Sequence, residues 1–305
     1  MARKPFKTLE EQVTILESRG LSMPEYAAYA LLGEDYYCVV NGYKEPFLDK
    51  EASAEAGHDV YAEGTGFGDL YSLFLFDRDL RNLTFKYLLK AEARVRSVAA
   101  YTFSEAYREL DAYLKIANYT DAKDYMVGPS HYDEDLAGLI ALLTRKSKGG
   151  RACKDFIAHY RQNYDEVPLW VLVKDLTFGN VSYFYGLQKR SVQNLICKRV
   201  VMLRRDPAHV MLTPHDMRLA LRTLVDFRNI CAHDERLWCA KVGPVRDEGF
   251  STMVAKLALI LDSETISSFK SELASLVGGH AVESQRLGEV LYNSDLGVPR
   301  PEDDK

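Results

Sequence analysis

Residues Asp226-Phe-Arg228-Asn229-Ile-Cys231-Ala-His233-Asp234-Glu235-Arg236-Leu-Trp238 bring together an arginine, an amide and a histidine. Arg228 and His233 lie about one and a half turns apart if the segment is helical. A histidine can move a proton near neutral pH. A guanidinium can hold two phosphate oxygens in a bidentate fork. With no cluster of metal ligands nearby, that combination suits phosphodiester chemistry without a metal or other cofactor.

The pair by itself carries little weight. With 21 arginines and seven histidines in 305 residues, chance supplies roughly one and a half Arg-x(4–6)-His pairs. Arg204 and His209 form such a decoy. Pro207 disfavours helix there, and the segment reads as a solvated loop. The motif segment differs in what leads into it: Leu219, Leu221, Leu224, Val225, Phe227 and Ile230 are spaced for a buried helix. On such a helix, positions five apart differ by about 140°, so Arg228 and His233 point differently, whereas Asn229 and His233 nearly share a face. Arg228 must swing round, the helix must distort, or a second subunit must complete the site.

The elements that would position these residues read as helices. Thr213-Pro214 opens the motif helix. Thr8-Leu-Glu-Glu11 has the form of a capping box, with Gly20 past the helix end. Ser22 and Pro24 restart a helix that Gly33 would stop. Tyr36 to Tyr43 reads as an irregular packed segment or a short strand, and 49–68 as an acidic surface loop. Gly64-Thr-Gly66-Phe-Gly68 is a plain linker, because no strand precedes it and no Gly-Lys-Ser/Thr follows.

From Asp69, a good N-cap, a long helix should reach about Tyr107, with Leu70, Leu73, Leu80, Leu88, Ala91 and Val95 at three- and four-residue steps. Asp77 with Arg81, and Glu92 with Arg96, are pairs four apart. Exposed pairing is the plain reading; the alternative puts Glu92 or Arg96 inside the bundle, orienting the motif. Further helices are expected over Asp133–Thr144, around Phe156–Tyr160, from Pro168 to a break near Phe178-Gly179, over Val181–Leu187, Ser191–Arg204 and Ser251–Leu261. The fold expected is all-α, a helical bundle elaborated at both ends.

Composition agrees with a globular protein: 47% hydrophobic, 27% charged and a formal net charge of −5. The acidic balance argues against general DNA coating but leaves room for a local basic groove. Lys189, Arg190, Lys198 and Arg199, followed by Arg204 and Arg205, occur with no acid among them. They are either a solvated helix face or a stripe for RNA. Five dispersed cysteines without a Cys-x-x-Cys pair suggest reduced thiols. Cys231, His233 and Cys239 lack a fourth ligand for zinc, so no metal is expected. The N-terminus lacks the apolar run of a signal peptide and no run could span a bilayer. A cytoplasmic protein with no membrane partner is expected.

Several segments together resemble the Abi-like (abortive infection) proteins, a branch of the HEPN ribonuclease superfamily. They are Lys7–Gln12 with Arg19-Gly20-Leu21, Tyr36-Tyr37 with Asn41-Gly42-Tyr43 and Pro46-Phe47, and Phe76–Arg81. Glu92–Ser97, Pro168-Leu-Trp170 with Phe178-Gly179, and Arg228–Trp238 complete the set. The resemblance implies a HEPN-type helical core over 66–262. An N-terminal helical or irregular extension would occupy 1–65, and a C-terminal helix with an acidic, disordered tail 263–305. It also implies a metal-independent endoribonuclease acting as a homodimer, linked to phage defence or toxin–antitoxin systems, with an RNA or protein antitoxin as a possible partner. By position, Arg228 and His233 would be catalytic and Asn229 auxiliary, with Glu92, Arg96 and Asp234 in support. The alternative is a non-catalytic RNA- or protein-binding module, acting as antitoxin or sensor.

Overall fold

The computed structural model describes residues 5–148, 153–207 and 210–301. The α-helices are α1 (Leu9–Ser18), α2 (Ala27–Glu34), α3 (Lys50–Ala56), α4 (Phe67–Ala106), α5 (Tyr132–Lys148), α6 (Asp155–Asn163) and α7 (Leu169–Leu172). They continue as α8 (Phe178–Gly186), α9 (Arg190–Met202), α10 (Pro214–Ala232), α11 (Phe250–Ile260), α12 (Ser263–Ala281) and α13 (Gln285–Tyr292). Among the described residues there is no strand, only isolated bridges such as Leu48 with Tyr61. The fold is all-α. None of these helices is long and apolar enough to cross a membrane.

The chain divides into two compact units. One comprises 1–83, 234–240 and 270–305, the other 84–233 and 241–269. Both α4 and α12 contribute residues to each.

In the first unit, Thr8 and Glu11 cap α1 reciprocally, and Gly20 turns the chain at φ +89°. α2 begins later than Ser22 and Pro24 suggest, and runs through Gly33. Tyr37–Asn41 forms a single π-helical turn that buries Val39 and Val40, so this segment is neither strand nor Asn-Gly hairpin. The supposed surface loop contains α3, which Asp49 caps through its side chain and Gly57 ends in the left-handed region. Tyr61, Thr65 and Phe67 nearby are buried. Asp69 is not the N-cap of α4. It is the third residue of the helix, in its first turn, and accepts from the Gly66 amide at 2.9 Å. Aromatic contacts build the core, with Tyr71 stacked on Phe67 and on Phe74, and Tyr43 edge-on to Phe74.

A charged cluster is buried in that core. Asp77, fully buried, accepts from the Tyr43 hydroxyl (2.7 Å), Arg81 (3.0 Å) and the amides of Leu237 (3.0 Å) and Trp238 (2.7 Å). Burial pushes its carboxyl above the usual range, while those donors pull it back. The Asp77–Arg81 pair is therefore no exposed helix pairing. The C-terminal region forms two helices, α12 and α13, in place of one. Ser284 caps α13. In the expected tail Leu296 is buried, and residues 302–305 lie outside the described part of the chain.

The second unit is organised around α10. Thr213 and Asp216 cap it reciprocally and Pro214 sits in its first turn. Met217, Ala220, Leu221, Leu224 and Phe227 are wholly buried, the narrow arc of a helix packed on both α8 and α11. Leu219, Val225 and Ile230 are only half-buried. Two arginines close the end of α11: Arg94 donates to the Ile260 carbonyl at 2.7 Å, and Arg204 to the carbonyls of Ala258 and Leu261. Arg204, paired also with Asp206 at 3.2 Å, is thus buried and not part of a solvated loop. Its sequence companion His209 lies outside the described residues.

Candidate functional site

The last turn of α10 carries the motif. Phe227 fills the core, and the next residue, Arg228, is turned by about 100° towards α4. Its guanidinium carbon lies 5.6 Å from the centre of the Phe85 ring. Its Nε is 3.5 Å from Glu92 Oε2. Glu92 is buried and receives Arg96, one turn on, through its other oxygen. Arg96 also donates to the Leu176 carbonyl at 3.3 Å. Two guanidinium groups therefore flank one carboxylate, one on each oxygen. Neither Glu92 Oε2 nor the Nε atoms of Arg228 and Arg96 have a hydrogen bond within the protein.

Asn229 and His233 lie about 100° and 140° round the helix end from Arg228, and both are exposed. His233 is the C-cap of α10, its amide donating to the Asn229 carbonyl at 2.9 Å. Its imidazole is exposed, with no hydrogen bond to it among the described residues. The structure thus separates what the motif lists together. Arg228 faces inward to Glu92 and Arg96, whereas Asn229 and His233 face outward. Phe85 joins this group although sequence reading passed over it; its signal was the seven-residue step to Glu92, two turns along one face.

Asp234 belongs to the other compact unit, takes φ +59°, and pairs there with Arg81. Two residues before Arg228, Asp226 has its carboxyl pushed up by burial and by Glu248, against the pull of Arg222. Glu248 itself accepts from Arg222 and Thr223, which outweigh burial and hold its carboxyl below the usual range. This second ionic group ties the chain after α10 back to the helix.

The basic stripe is only partly free. Lys189, Arg190 and Lys198 are exposed, but Lys189 lies over the Tyr107 ring at 5.8 Å and Arg190 reaches Met126 Sδ at 3.4 Å. Arg199 is engaged by Glu105 at 2.5 Å and Thr102 at 3.0 Å. Among the described residues no group of three or more His, Cys, Asp or Glu side chains is placed to hold a metal ion. None of the five cysteines is in a disulfide.

An all-helical protein with half-buried arginines on a buried carboxylate, beside an exposed Asn–His helix end, is the class that this geometry defines. The family model of Abi-like proteins matches residues 30–239, more than half the chain, and the chain belongs to that family. Membership suggests a role of the abortive-infection type. No curated protein and no solved structure matches it.

Proposed function

We propose that the chain is a metal-independent endoribonuclease of abortive-infection or toxin type, a member of the HEPN superfamily acting as a homodimer on single-stranded RNA. The observation that carries this reading is the exposed Asn229–His233 pair, backed by an Arg228 that Glu92 holds in place. In the reaction, a ribose 2′-oxygen attacks the adjacent phosphorus and the bond to the 5′-oxygen breaks, leaving a 2′,3′-cyclic phosphate and a 5′-hydroxyl. His233 takes the proton of the 2′-hydroxyl or returns one to the leaving oxygen. Arg228 stabilises the charge that builds on the phosphorane. One chain offers one such histidine, and a two-fold pair of chains would supply both acid and base. DNA lacks the nucleophile.

A second reading has its own support. Arg228 is half-buried and already ion-paired, as in a module that binds RNA or a protein partner without cutting. Purified protein incubated with a labelled RNA single strand in excess chelator separates the two. The ribonuclease reading expects cleavage to cyclic phosphate ends. His233→Ala should lower it by about 10²- to 10⁴-fold. Its urea midpoint should stay where it was, because the side chain is exposed. Undiminished cleavage by a folded His233→Ala protein would exclude His233 as the proton carrier.

A further inference from the structure

A groove of about 650 Å³ runs beside α4 in the second unit, lined by Arg96, Tyr101, Arg108, Trp170 and Lys174 among others. Two of its walls are large aromatic rings left in water, Tyr101 at 61% and Trp170 at 55% exposure. Neither ring is surplus core. Tyr101 stands on α4 with the Arg199 guanidinium 5.0 Å over its face, and Trp170 stands on the short α7 among the buried Leu169, Val171 and Leu172.

Charge around the groove is one-sided. Arg108 and Lys174 are exposed, and Arg96, about a quarter exposed, stands at one end. Glu105, the acid in the lining, is already neutralised by Arg199. From Arg96 to Glu105 the groove follows α4 for about 13 Å. Aromatic faces alternating with cations along an open channel are what an unpaired nucleic acid strand requires. Bases stack on the rings, whatever their identity, and phosphates lie along the cations. A duplex hides its base faces, and an acidic peptide would use the cations but not the rings.

We infer that this groove binds a few nucleotides of single-stranded RNA, with Trp170 and Tyr101 as stacking platforms and Arg96, Arg108 and Lys174 on the phosphates. The choice of RNA over DNA rests on the ribonuclease reading; the stacking geometry does not. Arg96 belongs both to the groove and to the Glu92–Arg228 group, so the strand's path begins at the residue that braces the motif. The sequence-derived stripe then has a smaller part: Arg199 contributes by orienting Tyr101 and cancelling Glu105, and not by contacting phosphate.

The test uses full-length His233→Ala protein, so that RNA stays intact, and a short labelled oligouridylate followed by fluorescence anisotropy. Trp170→Ala should weaken binding about tenfold or more, and Trp170→Phe should restore most of it. Arg108→Ala should lower the slope of log affinity against log salt by about 0.7. Because both side chains are exposed, thermal unfolding should match the parent. Binding unchanged by Trp170→Ala, absence of any binding, or equal competition by duplex RNA or by polyglutamate would overturn the inference. The two readings fail separately. Cleavage by the parent with RNA affinity unaffected in Trp170→Ala removes the groove alone, whereas Trp170-dependent binding without cleavage by the parent keeps the groove and removes the ribonuclease.

Discussion

Two buried acids, Asp77 and Glu92, lie on the same long helix and each meets an arginine one turn later, yet they are treated oppositely. Asp77 receives four donor groups and its arginine is itself shared with Asp234. Glu92 has one hydrogen-bonded partner, Arg96, and holds Arg228 only by an ion pair at 3.5 Å, with Oε2 otherwise unsatisfied. A buried carboxylate that is fully hydrogen-bonded fixes the chain around it. One left short of donors keeps an arginine in place without saturating it. The first cluster is a fastening. The second has the character of a support, which leaves the guanidinium of Arg228 able to exchange a carboxylate for a phosphate.

The largest effect that would test this contrast is at Asp77. Asp77→Ala should destabilise the protein by about 3–5 kcal/mol, because it takes one of two carboxylates from the buried Arg81 and leaves the amides of Leu237 and Trp238 without their acceptor. Urea unfolding with an unchanged slope would measure it. A loss below that of a surface substitution would show the cluster to be dispensable. Glu92→Ala should cost less, about 1–3 kcal/mol, since Arg96 and Arg228 are each about a quarter exposed and can find water. If the ribonuclease reading holds, this variant should nonetheless lose up to about a hundredfold in turnover through misplacement of Arg228. Equal stability losses at the two acids, with cleavage intact at Glu92, would erase the distinction between fastening and support.

The pairing of each acid with its arginine was legible in the sequence, and a Glu92 inside the bundle was one of two readings open there; the burial of Asp77 was not foreseen. Periodicity marks which residues share a helix face, and it found α4 and α10 because their apolar steps are long and regular. Caps were legible where they are local: Thr8 with Glu11 and Thr213 with Asp216 are written within four residues. What was lost depends on partners far along the chain. Arg204 is buried because α11 ends against it more than fifty residues later. Asp77 is saturated by amides some 160 positions away. α3 was missed because its only internal signal, Asp49 before an Ala-rich turn, sits in an acidic run that resembles solvated loop. The Arg-x4-His motif was readable as a string, and the angle of about 140° separating Arg228 from His233 followed from helix geometry alone. Which of the two would face the interior required knowing that Glu92 waits there. Trp170 and Tyr101 gave no sign of a shared groove, since exposed aromatics on separate helices have no common spacing.

The smallest expected effect concerns the ionic group that holds the chain beyond α10. Arg222 and Thr223 keep the Glu248 carboxyl below its ordinary range although burial opposes them. A carboxylate with a depressed folded-state pKa stabilises fully above its unfolded value, near 4.3, and loses that contribution as pH falls through the folded value. Parent and Glu248→Gln should therefore differ by about 1 kcal/mol at neutral pH, with the parent more stable. The gap should close progressively as the pH is taken below about 4. Paired urea titrations across that range read it directly. Neither the Asp77 cluster nor the Glu92 group should contribute to this difference, because both remain unchanged in the variant. A gap that persists at low pH would mean that the glutamine is harmful by its shape, and that the charge on Glu248 is not what ties the segment after α10 to the helix bearing the motif.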